Sequence, residues 1–193
     1  MAQAWDKLVA INEALLQGVE DPDDRIATMH RIAEIYEEKL ADEVSAFTWF
    51  GHAVREVPAD ERSIEELERL AAVTHGWPDA ITVYADVFEQ QEESSIKQMA
   101  ALRMARAFEE ELGDAESAEA TYRKVLELDA YETSALEALD RIYLNYVEWE
   151  RLAEILGRRI EVAVSDEDRV ELLYRLGKVY EEQIEDFDKA IAA

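Results

Sequence analysis

Apolar side chains recur along this chain at intervals of three and four, with no sustained alternation of two. Ile26, Met29, Ala33, Tyr36 and Leu40 form one stripe, Ala101, Ala105, Phe108 and Leu112 a second, and Leu173, Gly177, Tyr180 and Ile184 a third. That spacing lays each stripe along one side of an α-helix. Helices are expected near residues 5–17, 24–41, 43–57, 61–74, 77–91, 95–112, 114–128, 132–147, 149–164 and 167–185, with another starting at 187. Pro22, Pro58 and Pro78 each fall at or beside a boundary, where the missing N–H does least harm. Asp23, Asp60, Ser95 and Ser165 stand ahead of helical runs as candidate N-caps, their short oxygen-bearing side chains suited to free backbone N–H groups. Every connection is short, which makes consecutive helices antiparallel.

The stripes also repeat at a fixed interval. Trp5, Trp77 and Trp149 lie 72 residues apart without a gap, and the same register holds for Arg31, Arg103 and Arg175, for Glu37, Glu109 and Glu181, and for Glu38, Glu110 and Glu182. It holds again for Asp42, Asp114 and Asp186 and for Ala46, Ala118 and Ala190. A 72-residue unit with four helices is two helical hairpins, the size of unit found in stacked helical repeats. The expected organisation is one array over residues 1–193, divided into double repeats at 5–76 and 77–148 and a truncated one at 149–193. Because a repeat cannot bury its apolar face alone, neighbours must stack. The three tryptophans, recurring at helix starts, are expected to pack between helices rather than against a ligand. The sequence opens on half a unit and closes inside a helix begun at Phe187, so it reads as a piece of a longer protein whose uncapped ends favour end-to-end self-association.

Composition narrows the function. Twenty basic against 46 acidic side chains give a net charge of −26, which repels phosphate backbones and argues against a nucleic-acid ligand. No apolar run approaches the roughly 20 residues that span a bilayer, so no membrane role is expected. With no cysteine there is no disulfide framework to mark a compartment, and a cytoplasmic location is the default. His30, His52 and His75 are too far apart for a metal-binding pair on one helix turn, and no glycine-rich phosphate loop occurs. Paired acids such as Glu37 and Glu38 lie on exposed faces that cannot separate their proton affinities. Neither a catalytic centre nor a cofactor site is expected.

Ala105, Phe108, Leu112, Ala118, Tyr122 and Val125 follow a small, aromatic, small, aromatic order in which the stretch from Leu102 to Asp129 resembles the tetratricopeptide repeat. The hairpins at Leu67–Val87 and Leu139–Arg159 resemble it more weakly, and the strong hairpins carry one extra residue before Ala46, Ala118 and Ala190. The resemblance implies an all-α fold, a right-handed superhelical solenoid of ten to eleven helices in antiparallel pairs. It implies binding of a protein or peptide in a groove lined by the first helix of each pair. Matching the inward positions gives Ala27, His30, Arg31, Glu34 and Glu38, then Met99, Leu102, Arg103, Arg106 and Glu110, then Glu171, Tyr174, Arg175, Lys178 and Glu182, with Arg69 and Arg141 between. Glu34 and His30 fall where a chaperone-tail clamp would need Lys and Asn, so that mode of recognition is not supported.

Among these, Arg31 has Glu34 at i+3 and Arg175 has Glu171 at i−4, spacings that suit local ion pairs. Arg103 has no acid at three or four in either direction; Glu65, Glu66 and Glu137 on neighbouring helices are its expected partners. With Arg106, Met99 and Leu102 it forms a basic and apolar spot suited to a carboxylate. The candidate partner-binding residues are therefore Arg31, Met99, Leu102, Arg103, Arg106, Tyr174, Arg175 and Lys178. An interaction scaffold is the leading reading; a structural spacer in a large assembly, or a regulatory array serving a catalytic domain outside this sequence, are the alternatives.

Overall fold

The structure, a computed structural model, describes residues 2–192, and among them all regular structure is helical. Eleven α-helices follow one another: α1 (Ala2–Leu16), α2 (Pro22–Ile35), α3 (Glu43–Glu56), α4 (Glu61–Thr74), α5 (Trp77–Gln90), α6 (Ser94–Arg106), α7 (Ala115–Leu128), α8 (Thr133–Asn145), α9 (Trp149–Val162), α10 (Asp166–Lys178) and α11 (Phe187–Ala192). Most boundaries match those read from the periodicity. Two expected caps are corrected. The side chain of Asp21, not Asp23, accepts from the N–H groups of Asp23 and Asp24, because Pro22 occupies the first helical turn. Ser95 lies inside α6 and donates to the Glu93 carboxylate, so it caps nothing. Asp60 and Ser165 do cap α4 and α10.

The extra residue before Ala46, Ala118 and Ala190 has a structural home. After α2, α6 and α10 the backbone widens into π-helical turns at Tyr36–Leu40, Ala107–Glu111 and Val179–Ile184, a geometry that absorbs one additional residue without breaking the helix. Each turn closes in the same way. The amide of Asp42 donates to the Tyr36 carbonyl at 2.9 Å, that of Asp114 to Phe108 at 2.8 Å and that of Asp186 to Tyr180 at 2.9 Å. The residue before each aspartate is left-handed: Ala41, Gly113 and Glu185 have φ of 53, 63 and 59°. The aspartates then turn outward to cap α3, α7 and α11, Asp42 and Asp114 accepting from the amides of Ser45 and Ser117 and Asp186 from that of Lys189. The recurrence of aspartate at these three places is thus a capping requirement.

The helices group into two compact units, Met1–Ala107 and Phe108–Ala193. In the first, Phe47, Phe50 and Val54 of α3, Ile64, Leu67 and Leu70 of α4, and Val83, Tyr84 and Val87 of α5 form one continuous core. Trp77 packs against it, and Trp5 packs against a smaller cluster of Val9, Ile32 and Ile35. All three repeated tryptophans are half-buried. In the second unit, Leu136, Leu139 and Ile142 of α8 and Leu152 and Leu156 of α9 are buried. Each fully buried leucine contributes about 2 kcal/mol of transfer free energy.

Gly113 is the one glycine among the three left-handed positions that precede the capping aspartates, and a Cβ there would meet open space. Gly113→Ala therefore acts through the backbone alone, and is expected to lower stability by about 1 kcal/mol, measured as a shift of the urea unfolding midpoint at unchanged slope.

Candidate partner-binding face

The first helices of the pairs are tied to one another by carboxylate–guanidinium contacts. In the first unit, Arg62 of α4 pairs with Glu34 of α2, while Arg69 of α4 bridges Glu37 and Glu66, each at 2.7 Å. Arg103 of α6 reaches back to Glu68 of α4 at 2.7 Å, and Glu68 also accepts the Tyr84 hydroxyl at 2.8 Å. Burial, with the Glu68 charge beside it, pushes the Tyr84 hydroxyl pKa well up, so it stays a donor. The second unit repeats both contacts 72 residues on. Arg141 of α8 donates to Glu109 at 3.1 Å, and Glu109 accepts the Tyr122 hydroxyl at 2.8 Å. Arg175 of α10 grips Asp140 of α8 through two nitrogens at 2.7 and 2.9 Å, and Arg159 of α9 holds the same carboxylate.

The register explains two of the repeated arginines. Arg103 and Glu68 are 35 residues apart, as are Arg175 and Asp140. Both guanidiniums therefore pair across helices rather than along their own. Glu171 does not bind Arg175, and Glu65, Glu66 and Glu137 do not bind Arg103; the partner in each case is the acid on the preceding first helix. Arg31 also lacks its expected i+3 pair, because Arg62 has taken Glu34. Among the described residues Arg31 makes no ion pair and is exposed, on an open cleft of about 400 Å³ beside Ala27, His30 and Asp60.

Sequence reasoning passed over Glu68 and Asp140, although both occupy one register position and are acidic. Asp140 has only 3% of its surface exposed. Arg106 is exposed and makes no ion pair among the described residues, and Met99 and Leu102 are half-buried on the same helix. On α10, Tyr174 is exposed, and the Lys178 ammonium lies 5.6 Å from its ring centroid and 3.4 Å from Glu182. The remaining chemistry is at His30, 6% exposed, whose Nε2 lies 2.7 Å from the Ser63 hydroxyl. That hydroxyl in turn donates to Asp60 at 2.5 Å. Serine sits between the acid and the imidazole, so it is not an activated nucleophile of the Ser-His-Asp kind, in which histidine is the middle group. No group of three or more His, Cys, Asp or Glu able to hold a metal occurs among the described residues.

Comparison with known proteins agrees with this architecture. Residues 99–129 match the family described as "Tetratricopeptide repeat". A solved structure described as "MamA RS-1 ArsTM double mutant" is similar to 88% of this chain and 90% of its own, with a TM-score of 0.50 at 15% identity. A second, "Crystal structure of MamA", covers 82% of this chain and 92% of its own with a TM-score of 0.49 at 15% identity. At such identity the likeness concerns the fold alone. No curated protein matches the sequence.

Two outcomes follow from these contacts. Asp140→Ala leaves Arg159 and Arg175 without their shared counter-charge and is expected to cost about 3 kcal/mol, read from chemical unfolding. His30 is lowered below the ordinary histidine pKa chiefly by burial; Asp60, Glu34 and Glu66 oppose that shift and Arg62 adds to it. Below about pH 6.5 the unfolded chain therefore binds a proton that the folded chain resists, and stability falls as pH drops. Between pH 7.5 and 5.5 the melting temperature of the wild type should fall further than that of His30→Gln.

Proposed function

We propose that this tetratricopeptide-repeat chain is a protein-interaction scaffold that takes an acidic, apolar-anchored segment of a partner on the outward faces of its first helices. Support comes from the helix-pair fold, from the matched repeat at 99–129, and from the way the ion pairs divide the basic residues. Arg103 and Arg175 already neutralise acids of their own chain. Arg106 does not, and Leu102 and Met99, one and two turns away on the same helix, offer apolar surface. This pairing of an uncommitted guanidinium with half-buried apolar side chains carries the reading. A carboxylate from a partner would bind Arg106 by charge-assisted hydrogen bonds while a neighbouring apolar side chain covers Met99 and Leu102. Arg31 on α2 offers a second such charge in the first unit. Tyr174 and Lys178 on α10 make a comparable spot in the second, where the weak surface pair with Glu182 yields easily to a better-placed acid.

A net charge of −26 makes selectivity part of the mechanism. Acidic segments are repelled at a distance, so only one that aligns its carboxylate with a local basic spot gains binding. Recognition is then set by register rather than by bulk attraction.

Selection of peptides from a random displayed library against the full chain tests this reading. Binders should carry an acid within one turn of an aliphatic or aromatic residue, and Arg106→Glu should weaken them about tenfold, the size expected for a charge-assisted pair worth about 1.5 kcal/mol. Binders indifferent to Arg106→Glu and to Lys178→Glu, or no binders, would reject it.

A further inference from the structure

Between α4 and α5 the ring of Phe47, carried by α3, reaches across to the turn: a Cβ built on Gly76 would stand 3.6 Å from its ring carbons. Phe47 is buried and belongs to the core of the first unit. At the same register 72 residues on, Glu119 stands for Phe47, Glu116 for Val44, Glu148 for Gly76 and Tyr146 for Thr74. The Glu119 carboxylate accepts the Tyr143 hydroxyl at 3.0 Å and Arg151 at 2.9 Å. A pocket of about 440 Å³ opens there, between the start of α7 and the end of α8. Its floor is apolar, made by Ile142 and the Tyr143 ring, both buried. Its rim is anionic. Glu116 and Glu148 are exposed, make no ion pair among the described residues, and share the rim with the exposed ring of Tyr146. The free amides at the start of α7, which would favour an anion, are already answered by Asp114, whose carboxylate accepts from Ser117. No basic side chain among the described residues lines the pocket, and its acids do not form a metal-holding group.

We propose that this pocket receives a lysine or arginine side chain inserted by a basic segment of a partner protein. The aliphatic stem would lie on Ile142 and Tyr143, and the cationic head would meet the Glu116 and Glu148 carboxylates and the face of Tyr146. A side chain with an apolar stem and a charged tip answers both parts of the lining, which a purely apolar one does not. The net charge of −26 draws such a segment in from a distance, and the uncommitted pair of acids gives it one place to stop. The acidic segments proposed above engage Arg106 on α6 and Lys178 on α10, so either reading can fail without the other.

The probe is a capped synthetic peptide in which three lysines alternate with serines, titrated into the isotope-labelled full chain and followed by amide chemical shifts. Saturable shifts are expected at Gly113–Glu116 and Tyr146–Glu148. Replacing the central lysine by norleucine, which keeps the stem and drops the charge, should weaken binding about tenfold, the size of an exposed cation–π contact together with a surface ion pair. Glu116→Gln combined with Glu148→Gln should weaken it as much. Glu89→Gln combined with Glu92→Gln, the same loss of charge from an exposed stretch of the first unit, should not. Glu119→Phe, which restores the residue of the first unit, should fill the pocket and abolish the local shifts, with circular dichroism verifying its helicity. Binding indifferent to norleucine or to the loss of Glu116 and Glu148, shifts spread evenly over the acidic surface, or no binding would overturn the proposal. Butylammonium bound as tightly as the peptide would assign the pocket to a free amine, and would equally overturn it.

Discussion

A carboxylate set among apolar side chains needs a counter-charge fixed in place, and that requirement recurs in each unit. Asp140, 3% exposed, and Glu68, with 31% of its side chain exposed, stand among leucines and isoleucines on α8 and α4. Left alone, the buried Asp140 would cost several kcal/mol. Each is met by an arginine from the first helix of the following pair, and Glu68 also by a tyrosine hydroxyl. Apolar packing accepts a range of sliding and rotation between helices, whereas a bidentate grip such as that of Arg175 on Asp140 accepts almost none. The ion pairs therefore contribute registration more than adhesion, while the leucine-rich cores provide most of the cohesion.

Much of this was legible in the sequence. Periodicity located the helices because a helix stripe depends only on local spacing. The recurrence of Asp42, Asp114 and Asp186 marked the same structural place three times, although its capping role emerged only with the left-handed residue before each. The choice of ion-pair partners was not legible. Glu34 sits three residues from Arg31 yet pairs with Arg62, 28 residues away, because partners across helices are set by packing and not by spacing along one helix. The sequence points to Asp23 as the cap of α2, whereas Pro22 takes the first helical position and moves the start two residues earlier, so that Asp21 caps it.

The same contacts divide the basic residues into two populations with different work. Arg69, Arg103, Arg141 and Arg175 neutralise acids of their own chain and hold helices in line. Arg31 and Arg106 are exposed and hold none among the described residues. In a protein so rich in acids, few guanidiniums are left without an ion pair among the described residues, and the positions of these two are informative for that reason. In the sequence Arg103 stands with Arg106 as the basic spot while Arg31 and Arg175 have acids at local spacing, a division that the contacts across helices redraw.

Asp140 serves two arginines at once, one from α9 and one from α10. Replacing either arginine leaves the other still neutralised, so each can drift singly over evolutionary time. The acid itself has no such freedom: its loss takes the counter-charge from both cations at once and leaves only Arg159 a second acid, Glu137 at 3.4 Å. Natural variation at this junction should accordingly be lopsided, permissive at 159 and 175 and restrictive at 140.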